Sequence, residues 1–139
     1  MSEATQVFEV ENTIEALDCL TEDLARFAQS SGLDDMPRRT LMMVVEELFT
    51  NTVHYGYDAG TVDTISISVE RVGDRVDLVI RDKAKAFDVA RCPPSPDAEP
   101  KLEEMEVGGL GLFLVHNFAR SVASRRDGAT NVTEVVLPV

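Results

Sequence analysis

Two runs of alternating apolar residues, joined by a glycine turn, limit the fold of this chain most strongly. The apolar residues of 65–69 alternate with serines, and those of 76–80 alternate in the same way after Gly73-Asp74. A period of two places one face of each run in a core and the other face outside it. The short turn between the runs predicts an antiparallel hairpin. The chain must therefore build a sheet that has at least one buried face.

Three helices are predicted around this hairpin. The first starts at Asn12, which forms a capping-box pattern with Glu15. The second runs from about Met36 to Tyr55, and the third from about Leu110 to Ala119. The apolar residues of the first two helices recur with helical spacing, which indicates that each of these helices buries one face. The third helix is predicted from the apolar run 112–115 behind a glycine cluster.

Three further strands complete the predicted elements, at 6–10, 121–125 and 131–137. Consecutive antiparallel strands with helices set apart from them are typical of α+β folds. We therefore expect an α+β two-layer sandwich, in which a mixed, mostly antiparallel sheet is covered on one face by helices. Residues 1–139 are expected to form a single domain of ordinary size.

The charge of the chain excludes two classes of partner. The 139 residues carry a formal net charge of -12, whereas binding to nucleic acid or to an anionic membrane requires clustered Lys and Arg. No apolar stretch of about 18 residues is present, and the N-terminus lacks a signal-like pattern. Cys19 and Cys92 have no ligand-like spacing, which suits reduced thiols. We expect a soluble, cytoplasmic protein.

Glu47 and Asn51 lie four residues apart in the second helix and therefore share one edge of it, beside the apolar stripe of 41–48. Asn offers a hard, neutral oxygen to Mg²⁺, and Glu can deprotonate a nucleophile. Glu46 turns to the other side and is predicted to be a solvated surface acid. The alternative is that Glu47 and Asn51 form a solvated pair on an exposed flank.

A glycine cluster precedes the third helix. Gly108, Gly109 and Gly111 lie directly before the apolar run 112–115. Glycines allow close backbone approach, and the free amides at a helix N-terminus favour an anion, most often phosphate. The same pattern is also a common way simply to start a helix. Asp82, at the end of the strand 76–80, lies where a ligand residue or a turn residue is equally expected.

The order of these features resembles the GHKL ATP-binding superfamily, which is shared by gyrase-type topoisomerases, MutL-type mismatch-repair ATPases and sensor histidine kinases. Within it, the chain looks like the bacterial anti-sigma-factor serine/threonine kinases, whose domain is histidine-kinase-like. The segment 47–51 matches the N-box of that branch. Asp82 and Phe87-Asp88 match the outer positions of the first glycine box, and 108–112 matches the second box. The resemblance implies a Bergerat-type ATP-binding fold.

The resemblance also implies a role for each matching residue. Glu47 would be the general base toward a serine hydroxyl of a partner protein. Asn51 would bind Mg²⁺ and bridge it to the phosphates of ATP, and Asp82 would accept a hydrogen bond from the adenine amino group. The other nucleotide-binding positions would be those of the two glycine boxes: Ala84, Phe87, Gly108, Gly109, Leu110, Gly111 and Leu112. The proline- and glutamate-rich segment 93–107 would be a flexible ATP lid.

By this resemblance the chain would be an ATP-dependent protein serine/threonine kinase and an anti-sigma factor in a partner-switching system. It would phosphorylate a serine of an anti-anti-sigma (STAS-type) protein, bind a sigma factor and form a homodimer. The alternative is a non-catalytic protein-binding regulator with a degenerate nucleotide site. Ala84 favours that alternative, because the first glycine box normally has glycine there. A third interpretation, the ATPase module of a histidine kinase, is disfavoured because no dimerisation helix precedes the domain.

Overall fold

A computed structural model describes residues 5–86 and 109–139, with side chains from residue 111 onward in the second range. In chain order the elements are β1 (Gln6–Glu11), α1 (Ala16–Ser30), α2 (Asp35–Tyr55), β2 (Thr64–Val72), β3 (Arg75–Asp82), α3 (Gly109–Phe118), β4 (Ser121–Asp127) and β5 (Thr130–Pro138). The predicted lid at 93–107, together with Phe87 and Gly108, lies outside the described residues. Both α2 and α3 fall within one residue of their predicted bounds.

The five strands form one sheet in the order β1-β2-β3-β5-β4. Two hairpins, β2–β3 and β4–β5, turn at Gly73 and Gly128, whose positive φ angles of 59° and 61° suit glycine. All four pairings between the described strands are antiparallel, where a partly mixed sheet was expected. The predicted α+β two-layer architecture is confirmed. Because β5 lies between β3 and β4, it belongs to the interior of the sheet.

The core lies between the helices and one face of the sheet. The alternating residues of β2, β3 and β5 face the apolar stripes of α1 and α2, and Phe27 and Phe49 are the largest side chains with no exposed surface. Burial of each such side chain contributes roughly 1.5–3 kcal/mol. This packing fixes α2 against the sheet and therefore fixes the position of every side chain on the inner edge of α2.

The predicted capping box at the start of the first helix is wrong. The helix begins at Ala16, with Glu15 at the N-cap position and no side-chain capping bond. The amide of Asn12 instead accepts from the Asp63 N–H at 3.0 Å and donates to the Thr61 carbonyl at 2.9 Å. Asn12 therefore joins the end of β1 to the loop before β2. The local pattern could not indicate these partners, because residues 61 and 63 are far from Asn12 in the sequence.

Among residues 5–86 and 109–139, no helix combines the length and the apolar character that crossing a membrane requires.

Candidate functional site

A cavity of about 250 Å³ lies between the C-terminal half of α2 and the ends of β3 and β5. This volume is slightly below the range of roughly 300–1,000 Å³ that is typical of small-molecule sites. Its lining includes Leu48, Asn51 and Gly56 from the α2 side, Ile80, Asp82 and Ala84 from the β3 side, and Asn131 and Thr133 from β5. The fold therefore brings two of the predicted ligand residues, Asn51 and Asp82, to the same cavity.

Asp82 is the buried acidic group of this cavity, with 5% of its surface exposed. Its Oδ1 atom accepts hydrogen bonds from the Ala84 N–H at 3.0 Å and from Asn131 Nδ2 at 2.9 Å. Burial raises the pKa of the Asp82 carboxyl, and the Asn131 hydrogen bond opposes that rise. Oδ2 has no hydrogen-bond partner among the described residues, and Asp82 lines the cavity. Oδ2 can therefore accept a hydrogen bond from a ligand there.

Asn131 is a site residue that the sequence reasoning missed. The strand order places Asp82, Asn131 and Arg126 directly opposite one another on β3, β5 and β4. Besides Asp82, Nδ2 of Asn131 donates to the carbonyls of Ala84 and Lys85, at 3.0 and 3.1 Å. A signal was available, because Asn131 and Thr133 share the alternation of the buried residues of β5 and are polar.

Ala84 occupies the motif position where glycine was expected. The residue is 4% exposed, and a Cβ atom added to Gly56 would come within 2.6 Å of the Ala84 Cβ. The Lys85 N–H also donates to the Gly56 carbonyl at 2.8 Å. The methyl group of Ala84 is therefore packed against Gly56 at the end of α2, and Gly56 provides the space for it.

Glu47 lies one helical turn before Asn51 on α2. It is half-buried, whereas Glu46 is exposed on the other side of the helix, as the sequence indicated. The Glu47 carboxylate lies against Gly111 in the first turn of α3. Burial, and secondarily the charge of Glu46, raise the pKa of the Glu47 carboxyl. This shift moves Glu47 toward the range in which a carboxylate can act as a general base near neutral pH.

The first turn of α3 is formed by the second half of the glycine cluster. Gly109 and Leu110 belong to this turn by their backbone, and Gly111 is buried. Leu112 is 6% exposed and belongs to the hydrophobic core, so any contact of Leu112 with a ligand would come from its backbone. The unpaired amides of a helical first turn favour an anion. Gly109 to Leu112 can therefore offer backbone donors but no charged side chain.

The described residues offer few metal ligands. Within 5–86 and 109–139, no group of three or more His, Cys, Asp and Glu side chains could hold a metal ion. Mg²⁺ commonly keeps water and substrate phosphate oxygens as most of its ligands, with one or two groups from the protein. Asn51, which lines the cavity, fits the part of a single protein ligand in such an arrangement.

Comparison with known proteins identifies a family. A profile of the histidine kinase-like ATPase domain matches residues 10–137. The chain is 29% identical over 90 residues to a serine-protein kinase RsbW of Halalkalibacterium halodurans, and this alignment covers 63% of the chain and 54% of that protein. A serine-protein kinase RsbW of Bacillus licheniformis is 28% identical over 115 residues, which are 79% of the chain and 71% of the relative. The chain thus spans little more than half the length of the first of these relatives.

A solved structure has the same fold. The crystal structure of the RsbU and RsbW domains of a Mycobacterium tuberculosis protein superposes on this chain with a TM-score of 0.65. The superposition covers 98% of the chain and 32% of the other, at 12% identity. At this identity the likeness shows the architecture alone.

Proposed function

Because the chain belongs to the histidine kinase-like ATPase domain family, we propose that it is an ATP-binding protein serine/threonine kinase that acts as an anti-sigma factor. The relatives named serine-protein kinase RsbW support the kinase part of the proposal. The anti-sigma role rests on the resemblance of its three boxes to the bacterial anti-sigma-factor kinases. The protein would work in the cytoplasm.

The geometry of Asp82 carries the proposal. A buried carboxylate that lines a cavity, with one oxygen held by the protein and the other without a partner among the described residues, is suited to a ligand donor such as the amino group of adenine. Ile80 and Leu48 give the same cavity an apolar lining on which a flat ring can lie. We therefore assign the adenine end of the site to Asp82 and the neighbouring Ala84.

The phosphates would extend from this cavity toward α3. The backbone of Gly109 to Leu112 would donate hydrogen bonds to them, together with that of Gly108, and Phe87 would be a further nucleotide-binding residue. Mg²⁺ held by Asn51 and the phosphate oxygens would supply the charge neutralisation that phosphoryl transfer requires. Glu47 would then accept the proton of the attacking serine hydroxyl.

The partners would be a sigma factor and an anti-anti-sigma protein of the STAS type, which carries the acceptor serine. The kinase would form a homodimer, and 93–107 would be its ATP lid.

The non-catalytic alternative predicts the same partners without phosphoryl transfer. The packing of the Ala84 methyl against Gly56 supports a retained nucleotide site, because the space for the methyl is provided on the α2 side.

The test is a transfer assay with γ-labelled ATP, Mg²⁺ and a STAS-type protein of the same organism. We expect label on the serine of that protein, and none on a control in which this serine is replaced by alanine. Glu47→Gln should abolish the transfer while calorimetry shows nearly unchanged ATP affinity. Binding of the partner without transfer would favour the non-catalytic alternative, and failure to bind ATP at millimolar concentration would refute the proposal.

A further inference from the structure

A row of three polar side chains crosses the sheet at the edge of the cavity, and two of them belong to its lining. Arg126 of β4, Asn131 of β5 and Asp82 of β3 are direct cross-strand partners. Arg126 Nη1 donates to Asn131 Oδ1 at 2.7 Å, and Asn131 Nδ2 donates to Asp82 Oδ1 at 2.9 Å. Asn131 is only 8% exposed, so its amide is satisfied mainly by these protein partners.

The donor and acceptor character of the three groups fixes their orientation. A guanidinium group can only donate, so the oxygen of the Asn131 amide must face Arg126. The NH₂ group of Asn131 must then face Asp82 and the carbonyls of Ala84 and Lys85, which are all acceptors. Asp82 Oδ1 must in turn accept, and only Oδ2 is left for a ligand.

We propose that Asn131, held by Arg126, is a positioning residue that keeps Asp82 a hydrogen-bond acceptor and thereby makes the site select adenine over guanine. The proposal rests on ATP being the ligand of this cavity. Adenine carries an amino donor at the position where guanine carries a carbonyl acceptor. An acceptor-only Oδ2 therefore matches adenine and opposes guanine.

The selectivity would fail if Asp82 were protonated, because Oδ2–H could then donate to the guanine carbonyl. Burial and the charge of Asp63 raise the pKa of Asp82, whereas the hydrogen bonds from Asn131 and the Ala84 N–H, and the charge of Arg126, lower it. Tyr57 is another titratable group that interacts with Asp82, and its hydroxyl donates a hydrogen bond to Asp63 at 2.6 Å. Asn131 is thus the principal side chain that counteracts the burial of the carboxylate.

The test compares the affinities for ATP and GTP of three variants with those of the unchanged protein, by calorimetry between pH 5 and pH 8. Asn131→Ala should weaken ATP binding about tenfold, which is the scale of a hydrogen bond to a charged group. The ratio of the ATP affinity to the GTP affinity should decrease in this variant. The pH below which ATP binding is lost should be higher in Asn131→Ala than in the unchanged protein. Arg126→Met should change both properties in the same direction by a smaller factor.

Arg125→Met is the matched control, because Arg125 is the neighbouring arginine of β4 and pairs with Glu134 at 3.6 Å. It should leave the ATP preference and the pH profile unchanged. Arg126→Met keeps the test decisive if Asn131→Ala does not fold, since Arg126 lies on the surface. Unchanged preference and pH profile in folded variants would overturn this inference alone. Absence of ATP binding in the unchanged protein would overturn the proposed function as well.

Discussion

The carboxylate of Glu47 occupies the space that a side chain on Gly111 would need. The two residues lie on different helices, α2 and α3, so the glycine allows the helices to pack with the acid between them. Gly111 therefore gives Glu47 its position, in addition to any contact of its amide with phosphate. This relationship connects the proposed base directly to the helix that follows the glycine cluster.

Gly111→Ala should displace the Glu47 carboxylate. Alanine favours a helix by about 1 kcal/mol over glycine, so α3 itself should persist. We expect transfer to the partner serine to fall by about a hundredfold, as for a misplaced catalytic group, while ATP affinity changes little. Single-turnover kinetics and calorimetry measure the two effects.

A thermal double-mutant cycle is the control for this prediction. In the Glu47→Ala background the carboxylate is gone, so Gly111→Ala should raise the melting temperature. In the unchanged protein the same substitution should lower the melting temperature. Equal shifts in both backgrounds would contradict the proposed contact.

Glu46→Gln should extend activity to lower pH. The charge of Glu46 contributes to the raised pKa of Glu47, so its removal lowers that pKa and keeps the base ionised further into the acid range. The acid limb of the transfer rate should therefore shift to lower pH. The control is Glu22→Gln, which removes an exposed acid on α1 and should leave the acid limb of the transfer rate unchanged. A shift of the acid limb in both variants would show a general effect of net charge instead.

Gly56→Ala should destabilise the fold by about 1–3 kcal/mol, the usual cost of overpacking. The added Cβ would come within 2.6 Å of both the Ala84 Cβ and the Thr52 carbonyl oxygen. Chemical denaturation measures the free energy of unfolding. In the double variant with Ala84→Gly, one of the two contacts is relieved, so the loss should be smaller than the sum of the single losses. Strict additivity would contradict the packing of these two residues.

Asn12→Ala should loosen the loop before β2 and leave α1 intact. The Asn12 amide joins residues 61 and 63 rather than capping the helix. Hydrogen exchange should show faster exchange of the Asp63 amide, with unchanged protection in Ala16–Ser30. Faster exchange at the start of α1 instead would restore the capping interpretation.

Local patterns predicted most elements of this fold. The alternation around Gly73 and the periodicity of α2 depend on neighbours a few residues away, and both are confirmed. The position of β5 between β3 and β4 depends on contacts that no local pattern records. That placement sets Asn131 opposite Asp82, which is why the sequence indicated the acid but not the amide that orients it. The roles of Glu47, Asn51, Asp82 and the glycine boxes stay predictions.

The interior position of β5 also imposes an order on assembly. Asn131 and Thr133 leave the ribosome after every lining residue of α2 and β3, and the pairing of Asp82 with Asn131 spans 49 residues. Such a long closure is entropically costly and tends to be late in folding. A nascent chain would therefore carry α2 and the β2–β3 hairpin before it had any pocket, and nucleotide capture would coincide with the docking of the last sheet strand.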